Sequence, residues 1–305
     1  MAFNTSALST WIKPGDLFGK TLYSSNTAKF IDIVDGVKGY IDLFPFSTTT
    51  AFQAGACSYN ATNSTVVSSV RLTVDQVSTM ETFCVSDFNT FALGAMLKPG
   101  SSDNNDEAFV QMFMEEKLQS ATNGLYEMFW KGSKTNGSGN LALTNGILHN
   151  LVHTSQSAST VSATTAVTVT NILDTVNWMI QNAPAALIQQ SNVVIYMTSS
   201  NFRLYIAALQ AANNYHFTGE NNGFTYKVPG YSNITVVGLA ELDGNADNID
   251  MIMTYAKNFV YGVDTTQEGT SYDLWYSQDN RQIRSALETK IGTAIREPNM
   301  VVIIK

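Results

Sequence analysis

Charge is scarce in this sequence. Lys and Arg number 17 and Asp and Glu 25 among 305 residues, 14% together, with a net charge of −8; soluble domains average about 25% charged residues. Polarity is carried by neutral side chains instead, with 27 Asn and 33 Thr. Such a surface suits burial against other protein, where an unpaired charge is expensive to desolvate. The acidic balance makes a poor sequence-independent ligand for nucleic acid. Cysteine is limited to Cys57 and Cys84, too few for a disulfide framework, and both are expected reduced in a core or a partner contact. No apolar run approaches the ~18 residues that span a bilayer, so no membrane association is expected. The segment Met1 to Lys20 lacks a basic start followed by an apolar stretch, and no secretory signal is expected.

Hydrophobic residues make up 44% of the chain, enough for a packed core and too many for global disorder. The length fits one large domain or two medium ones.

Residues 1–45 read as an extended arm punctuated by Trp11, Pro14, Gly15 and Gly19. Residues 46–80 read as a projecting β-hairpin. Its second strand runs Val66 to Val77, with Val70, Leu72 and Val74 on one parity and Arg71, Thr73 and Asp75 on the other. A weaker strand, Ala51 to Tyr59, precedes a polar turn at Asn60–Thr65. From Asp103 to Trp130, Val110, Phe113, Met114, Leu118, Ala121, Leu125, Met128 and Phe129 recur at helical spacing, with Asp103 as the expected N-cap. That helix would be about 42 Å long, a beam for an elongated body. A Gly-rich loop, 131–140, follows, and a boundary is placed near residue 150.

Residues 171–261 read as α/β. Ile172, Leu173, Val176, Met179 and Ile180 form a helix stripe that Pro184 ends or kinks. Apolar strands are expected at 192–197, 234–240 and 251–255, with a helix capped by Ser199 or Ser200 running to Asn213. In the tail, Ile283, Leu287, Ile291 and Ile295 share one strand parity, while Gln282, Arg284, Glu288, Lys290 and Arg296 share the other. The isoleucines also fit a four-residue helical step; Gly292 and the charge alternation favour a strand. A last strand is expected at Val301–Ile304.

Chemical motifs are few. His149 and His153 are spaced for one helix face, but no acid or cysteine lies near them in sequence, and the expectation is two ordinary loop or strand histidines with no metal. The run Asp243–Asp250 fails the calcium-loop pattern, with Asn248 where glycine is needed and Thr254 where a carboxylate is needed. Asn-X-Ser/Thr triplets start at Asn4, Asn60, Asn63, Asn136 and Asn233, as chance produces in a chain this rich in Asn and Thr. There is no Gly-X-Ser-X-Gly elbow and no phosphate loop. Glu115 and Glu116, adjacent on a helix, diverge by about 100° and cannot act as a catalytic pair. No enzyme and no cofactor are expected.

The order of these segments resembles the major capsid proteins of tailed bacteriophages, the Hong Kong-97-type fold, over essentially the whole chain. Thr48 to Thr73 is similar to the family's extended loop. Val85-Ser-Asp-Phe and the helix after it resemble the start of the peripheral domain and its spine helix. Phe129-Trp-Lys-Gly, followed by Thr144-Asn-Gly-Ile-Leu148, resembles the Gly-rich stretch closing on a Gly-Ile-Leu turn. Asn192-Val-Val-Ile-Tyr-Met with the Phe202–Leu209 helix resembles the axial strand–helix unit. Tyr231 to Gly238 and Asn258-Phe-Val-Tyr-Gly-Val-Asp264 resemble the axial strand and the chain's re-entry.

The resemblance implies an α+β fold divided into an N-terminal arm (1–45), an extended loop (46–80), a peripheral domain (81–150 and 259–305, spine helix about 103–130) and an axial domain (151–258). It implies self-assembly, as hexamers and pentamers, into the icosahedral shell around a double-stranded DNA genome. A separate scaffolding protein, a portal and decoration proteins would be partners. The chain would be made in the host cytoplasm and reside in the virion capsid. Trp11 in the arm and Gly55, Asn60, Asn63 and Val66 in the hairpin are the expected subunit-contact residues. The covalent Lys–Asn cross-link of some members has no matching pair of positions. An encapsulin-type nanocompartment is the nearest rival, and a glycan-binding surface protein is a more distant one.

Overall fold

The computed structural model describes residues 27–44, 46–49, 52, 64–84, 107–153, 159–161, 166–212, 224–264, 271–277, 279–280 and 282–305. Two mixed sheets organise them.

The first sheet is built on one long strand. β14 (Gln282–Ile295) pairs along one edge with β13 (Ser271–Ser277) and then with β12 (Phe259–Val263), and along its other edge with β6 (Asp75–Cys84). β1 (Asp32–Val34) adds parallel to β12. The tail is therefore a strand, not a helix. Ser285, Leu287, Thr289, Ile291 and Ile295 are buried, matching the expected parity, and tertiary pairing decided between the two periods that the isoleucines fit. Residues 32–34, read as part of the arm, are thereby stitched into this sheet.

The second sheet has the order β7 (Ser159–Val161), β15 (Val302–Ile304), β11 (Met251–Tyr255), β8 (Val193–Thr198), β10 (Ile234–Leu239) and β9 (Thr225–Lys227). β8 is buried at every position, because both faces are covered. Val193, Ile195 and Met197 pack with α3 (Ile172–Asn182) and α5 (Ser199–Ala211). Val194 and Tyr196 pack with α1 (Glu107–Lys131) and α2 (Ile147–His153). Covering on both sides produces the continuous apolar run in the sequence. The tail changes sheets after β14: Val302–Ile304 leaves the first sheet and pairs between β7 and β11.

α1 spans 25 residues, about 37 Å. Leu118, Leu125, Met128 and Phe129 of the expected stripe are buried, joined by Tyr126 and Trp130. Asp103, the expected cap, lies outside the described residues. At α5 the cap differs from expectation: Thr198 Oγ1, not Ser199 or Ser200, accepts from Asn201 N at 3.2 Å. The backbone N–H of Ser199 is satisfied instead by Asp243 Oδ1 at 2.8 Å. A short helix, α4 (Ala185–Ile188), follows Pro184, which ends α3 as expected.

The two sheets meet at Asn258, which is fully buried. Its side-chain amide donates to Thr254 Oγ1 at 2.8 Å and to Glu297 O at 3.0 Å, and its Oδ1 accepts from Glu297 N at 2.9 Å. Asn258 therefore ties the β11–β12 turn to the point where the tail leaves β14. Asn258→Ala is expected to cost about 2–3 kcal/mol, because buried backbone groups lose their partners. Chemical denaturation of the variant against the parent chain checks this.

Candidate assembly surfaces

The hairpin forms, but its strands are not those expected. β2 (Tyr40–Leu43) pairs antiparallel with β5 (Val70–Thr73), and β3 (Phe46–Thr49) pairs with β4 (Ser64–Val67). The rising strand thus begins in residues read as arm, and the ladder has two tiers. Of the expected strand Ala51–Tyr59, only Phe52 is among the described residues, and it is 96% exposed. The single descending strand expected over 66–77 breaks at Ser68–Ser69 and again at Val74.

Its base is anchored to the first sheet. Leu72 is wholly buried among Val37, Val74, Val260 and Ala294. β5 crosses β12 and β14 where Gly262 faces Gly292 in the register. A Cβ at Gly292 would stand 2.1 Å from Thr73 O, and one at Gly262 would stand 2.8 Å from a Leu72 methyl. Only a pair of bare backbones lets the hairpin lie this close to the sheet.

Above that base the ladder is thin. Tyr40 is 63% and Phe44 57% exposed, and Ile41 is exposed too. Arg71 clasps Asp42, with Nε donating to Oδ1 at 2.8 Å and Nη2 to Oδ2 at 3.2 Å, and its guanidinium lies 4.4 Å from the Tyr40 ring centre. These hydrogen bonds hold the Asp42 carboxyl below the usual carboxylate range. The clasp keeps the two strands in register where packing cannot.

Of the expected contact residues, Val66 sits in β4 opposite Ser47. Gly55, Asn60, Asn63 and Trp11 lie outside the described residues, as does Cys57. Cys84 ends β6, opposite Gln282. Sequence reasoning missed Tyr40, Asp42, Arg71 and the facing glycines. Arg71 and Asp42 are 29 residues apart, and only the ladder register joins them.

A groove of about 250 Å³ runs between α1 and β6–β14, lined by Val77, Leu118, Ala121, Leu125 and Leu287 among others. Glu81 and Lys117, the ionisable groups on its wall, pair with each other.

The histidine pair and the acidic loop become one feature. His149 and His153 lie on α2, a helix where a loop or strand was expected; Gly146 precedes it, and the Gly146 carbonyl accepts from Asn150 N at 3.1 Å. Their ring centres are 5.1 Å apart. His149 Nδ1 is 3.1 Å from Ser133 Oγ, and His153 Nε2 is 2.9 Å from Asp247 Oδ1. Among the described residues no group of three His, Cys, Asp or Glu side chains is arranged to hold a metal. The 243–250 loop is a clip rather than a free turn. Asp243 binds the start of α5, Lys131 Nζ donates to Asp243 O at 3.0 Å, and Asn201 donates to Asp250 at 3.1 Å. Among the described residues no helix is long and apolar enough to cross a membrane.

No family model matches the sequence, and no curated protein matches it. Solved structures do match. The satellite phage P4 procapsid, in a structure that includes the size determination protein, superposes with a TM-score of 0.62 at 11% identity, covering 95% of this chain and 98% of that one. Mycobacterium phage Bobi gives 0.57 at 11% identity over 93% and 89%. A virus-like particle from Pyrococcus furiosus gives 0.55 at 6% identity over 96% and 98%. The chain has the α+β fold of the tailed-phage major capsid proteins, the Hong Kong-97 type.

Proposed function

We propose that this chain is a major capsid protein whose copies assemble, as hexamers and pentamers, into an icosahedral shell around the double-stranded DNA genome of a tailed phage. The role is structural, without catalysis or cofactor. The observation that carries the reading is the two-tier ladder. A lone two-stranded ribbon is marginal in water, yet this one exposes Tyr40, Ile41 and Phe44. A neighbouring copy laid against it supplies the missing layer, and closed symmetry lets every copy do the same.

The scarcity of charge keeps the desolvation cost of such seams low. A net charge of −8 suits a wall that surrounds DNA without condensing it. A separate scaffolding protein directs closure, a portal occupies one vertex, and decoration proteins bind outside. The chain is made in the host cytoplasm and ends in the virion capsid.

A direct test replaces residues 50–63 with Asn-Gly, a two-residue turn that closes antiparallel strands. The expected product is a soluble, folded subunit that forms no closed shells under the electron microscope. Normal shells from this variant contradict the reading.

The match to a virus-like particle favours one second reading, an encapsulin-type compartment. Particles isolated from their native source separate the two: DNA inside supports the capsid, and enclosed protein without DNA supports the compartment.

A further inference from the structure

Six described residues have positive φ. Four are Gly36, Gly139, Gly230 and Gly244, and a fifth is Asn248, at 52°. Glycine meets no steric penalty there, and asparagine visits the left-handed region more readily than most side chains. The sixth is Lys257, at 72°, which has neither advantage. The fold imposes this conformation. Lys257 lies in the turn between β11 and β12, where the chain crosses from the second sheet to the first. Ala256 N donates to Asn192 O at 2.8 Å, Lys257 N to Phe30 O at 2.8 Å and Asn258 N to Tyr255 O at 3.3 Å. Three consecutive amides are thus pinned. A glycine at 257 would make the same bond without setting a Cβ against the following carbonyl oxygen.

The side chain offers no reason of its own inside the subunit. It is exposed. Arg71, Lys117, Lys131, Lys134, Lys290 and Arg296 each pair with a carboxylate of the same chain. Among the described residues the Lys257 ammonium makes no ion pair and no hydrogen bond. β1, which runs beside β12, carries Asp32, but Arg296 already holds that carboxylate. Backbone strain kept beneath an exposed, unpaired charge points to a use outside the subunit.

We propose that Lys257 is a subunit-contact residue that reaches a carboxylate of a second copy of this chain. The inference rests on the self-assembling reading above and adds a contact at the junction of the two sheets, away from the hairpin. The charge balance selects the partner. With 25 Asp and Glu against 17 Lys and Arg, each copy carries surplus carboxylates for a neighbour's free cation. A phosphate is the poorer match, because a subunit of net charge −8 repels DNA as a whole.

The test compares Lys257→Gly, Lys257→Gln and Lys257→Arg with the full-length parent, all purified free of nucleic acid. Thermal melts read the dilute, unassembled subunit. Light scattering with electron microscopy reads the concentration at which shells form. Lys257→Gly is expected to melt about 2 °C higher, because the strain is gone. It is nevertheless expected to need roughly two- to fivefold more protein to form shells, the scale of one exposed ion pair. Lys257→Gln keeps the strain and loses the charge, so it is expected to assemble as poorly as Lys257→Gly with no gain in melting temperature. Lys257→Arg is expected to assemble like the parent. A Lys257→Gly variant that melts below the parent, or that assembles at the parent's concentration, overturns the proposal. So does a Lys257→Arg variant no better than Lys257→Gln. A deficit that appears only when DNA is added assigns the lysine to phosphate and overturns it as well. These outcomes strike the contact alone, whereas a parent chain that forms no shells contradicts the proposed function and the contact with it.

Discussion

Gly292→Ala should unseat the hairpin. In an ordinary strand this change is mildly favourable, since glycine loses the most backbone freedom on folding. Here the added Cβ meets Thr73 O at 2.1 Å, and the next nearest atoms are also backbone, at 2.9 and 3.0 Å. No rotamer relieves a backbone clash, so β5 must lift from β14. Lifting it withdraws Leu72, now wholly buried, from its pocket between Val260 and Ala294. The expected cost is about 3 kcal/mol, the upper part of the range for overpacking. Thermal denaturation should show a clear fall in midpoint. Shell formation should fail, because the hairpin no longer leaves the body at its proper angle. A variant that melts like the parent and assembles normally would show that the facing glycines do not set the hairpin's seat.

The second large effect is expected at Trp130. Its ring is fully buried at the end of α1, 5.1 Å from both Phe129 and Tyr196 and 5.7 Å from Phe259 between ring centres. From α1 it reaches the second sheet at Tyr196 and the first sheet at Phe259 together, so it is the keystone of the shared core. Trp130→Ala is expected to cost about 4 kcal/mol, within the range for emptying a large aromatic site. Trp130→Phe should cost far less, about 1 kcal/mol. The indole Nε1 finds no hydrogen-bond partner among the described residues, so removing it relieves an unsatisfied donor and offsets part of the lost volume. Equilibrium denaturation of both variants checks the contrast. Equal losses would mean that the indole N–H has a partner after all.

Much of the fold was legible in the sequence because its signals are local. The α1 stripe, the α3 stripe with its stop at Pro184, and the alternation along β14 each express one buried face at the period of the element. β8 was legible for the opposite reason, an unbroken apolar run that two covered faces require. What escaped depends on residues far apart in sequence. Nothing near Val302–Ile304 reveals that it leaves the first sheet for the second. Gly292 counted only as a sign of strand and Gly262 only as part of a motif, and their close approach to the hairpin emerges when the register sets them opposite each other. Asn258 was noticed as part of a motif, but its role as the tie between the sheets needs Glu297, 39 residues on. The cap of α5 lies at Thr198, one or two residues before the expected Ser199 or Ser200, and Asp243 satisfies the Ser199 N–H from another loop.

The candidate assembly surface was legible only in outline. A polar, low-charge hairpin was visible in composition and parity. Of the residues chosen for contact, Val66 lies in β4, and Gly55, Asn60, Asn63 and Trp11 were chosen from segments outside the described residues. The structure instead draws attention to the exposed part of the ladder just above its base, Tyr40, Ile41 and Phe44 with the Arg71–Asp42 clasp. Those side chains carry no distinguishing pattern, since a strand with both faces exposed has no hydrophobic alternation to read.

Electron microscopy of the purified, concentrated chain at neutral pH tests the central claim most directly. The account predicts closed shells, or at least curved sheets built from rings of subunits. A population that stays monomeric at 33.3 kDa, at high concentration and with the hairpin intact, would contradict it.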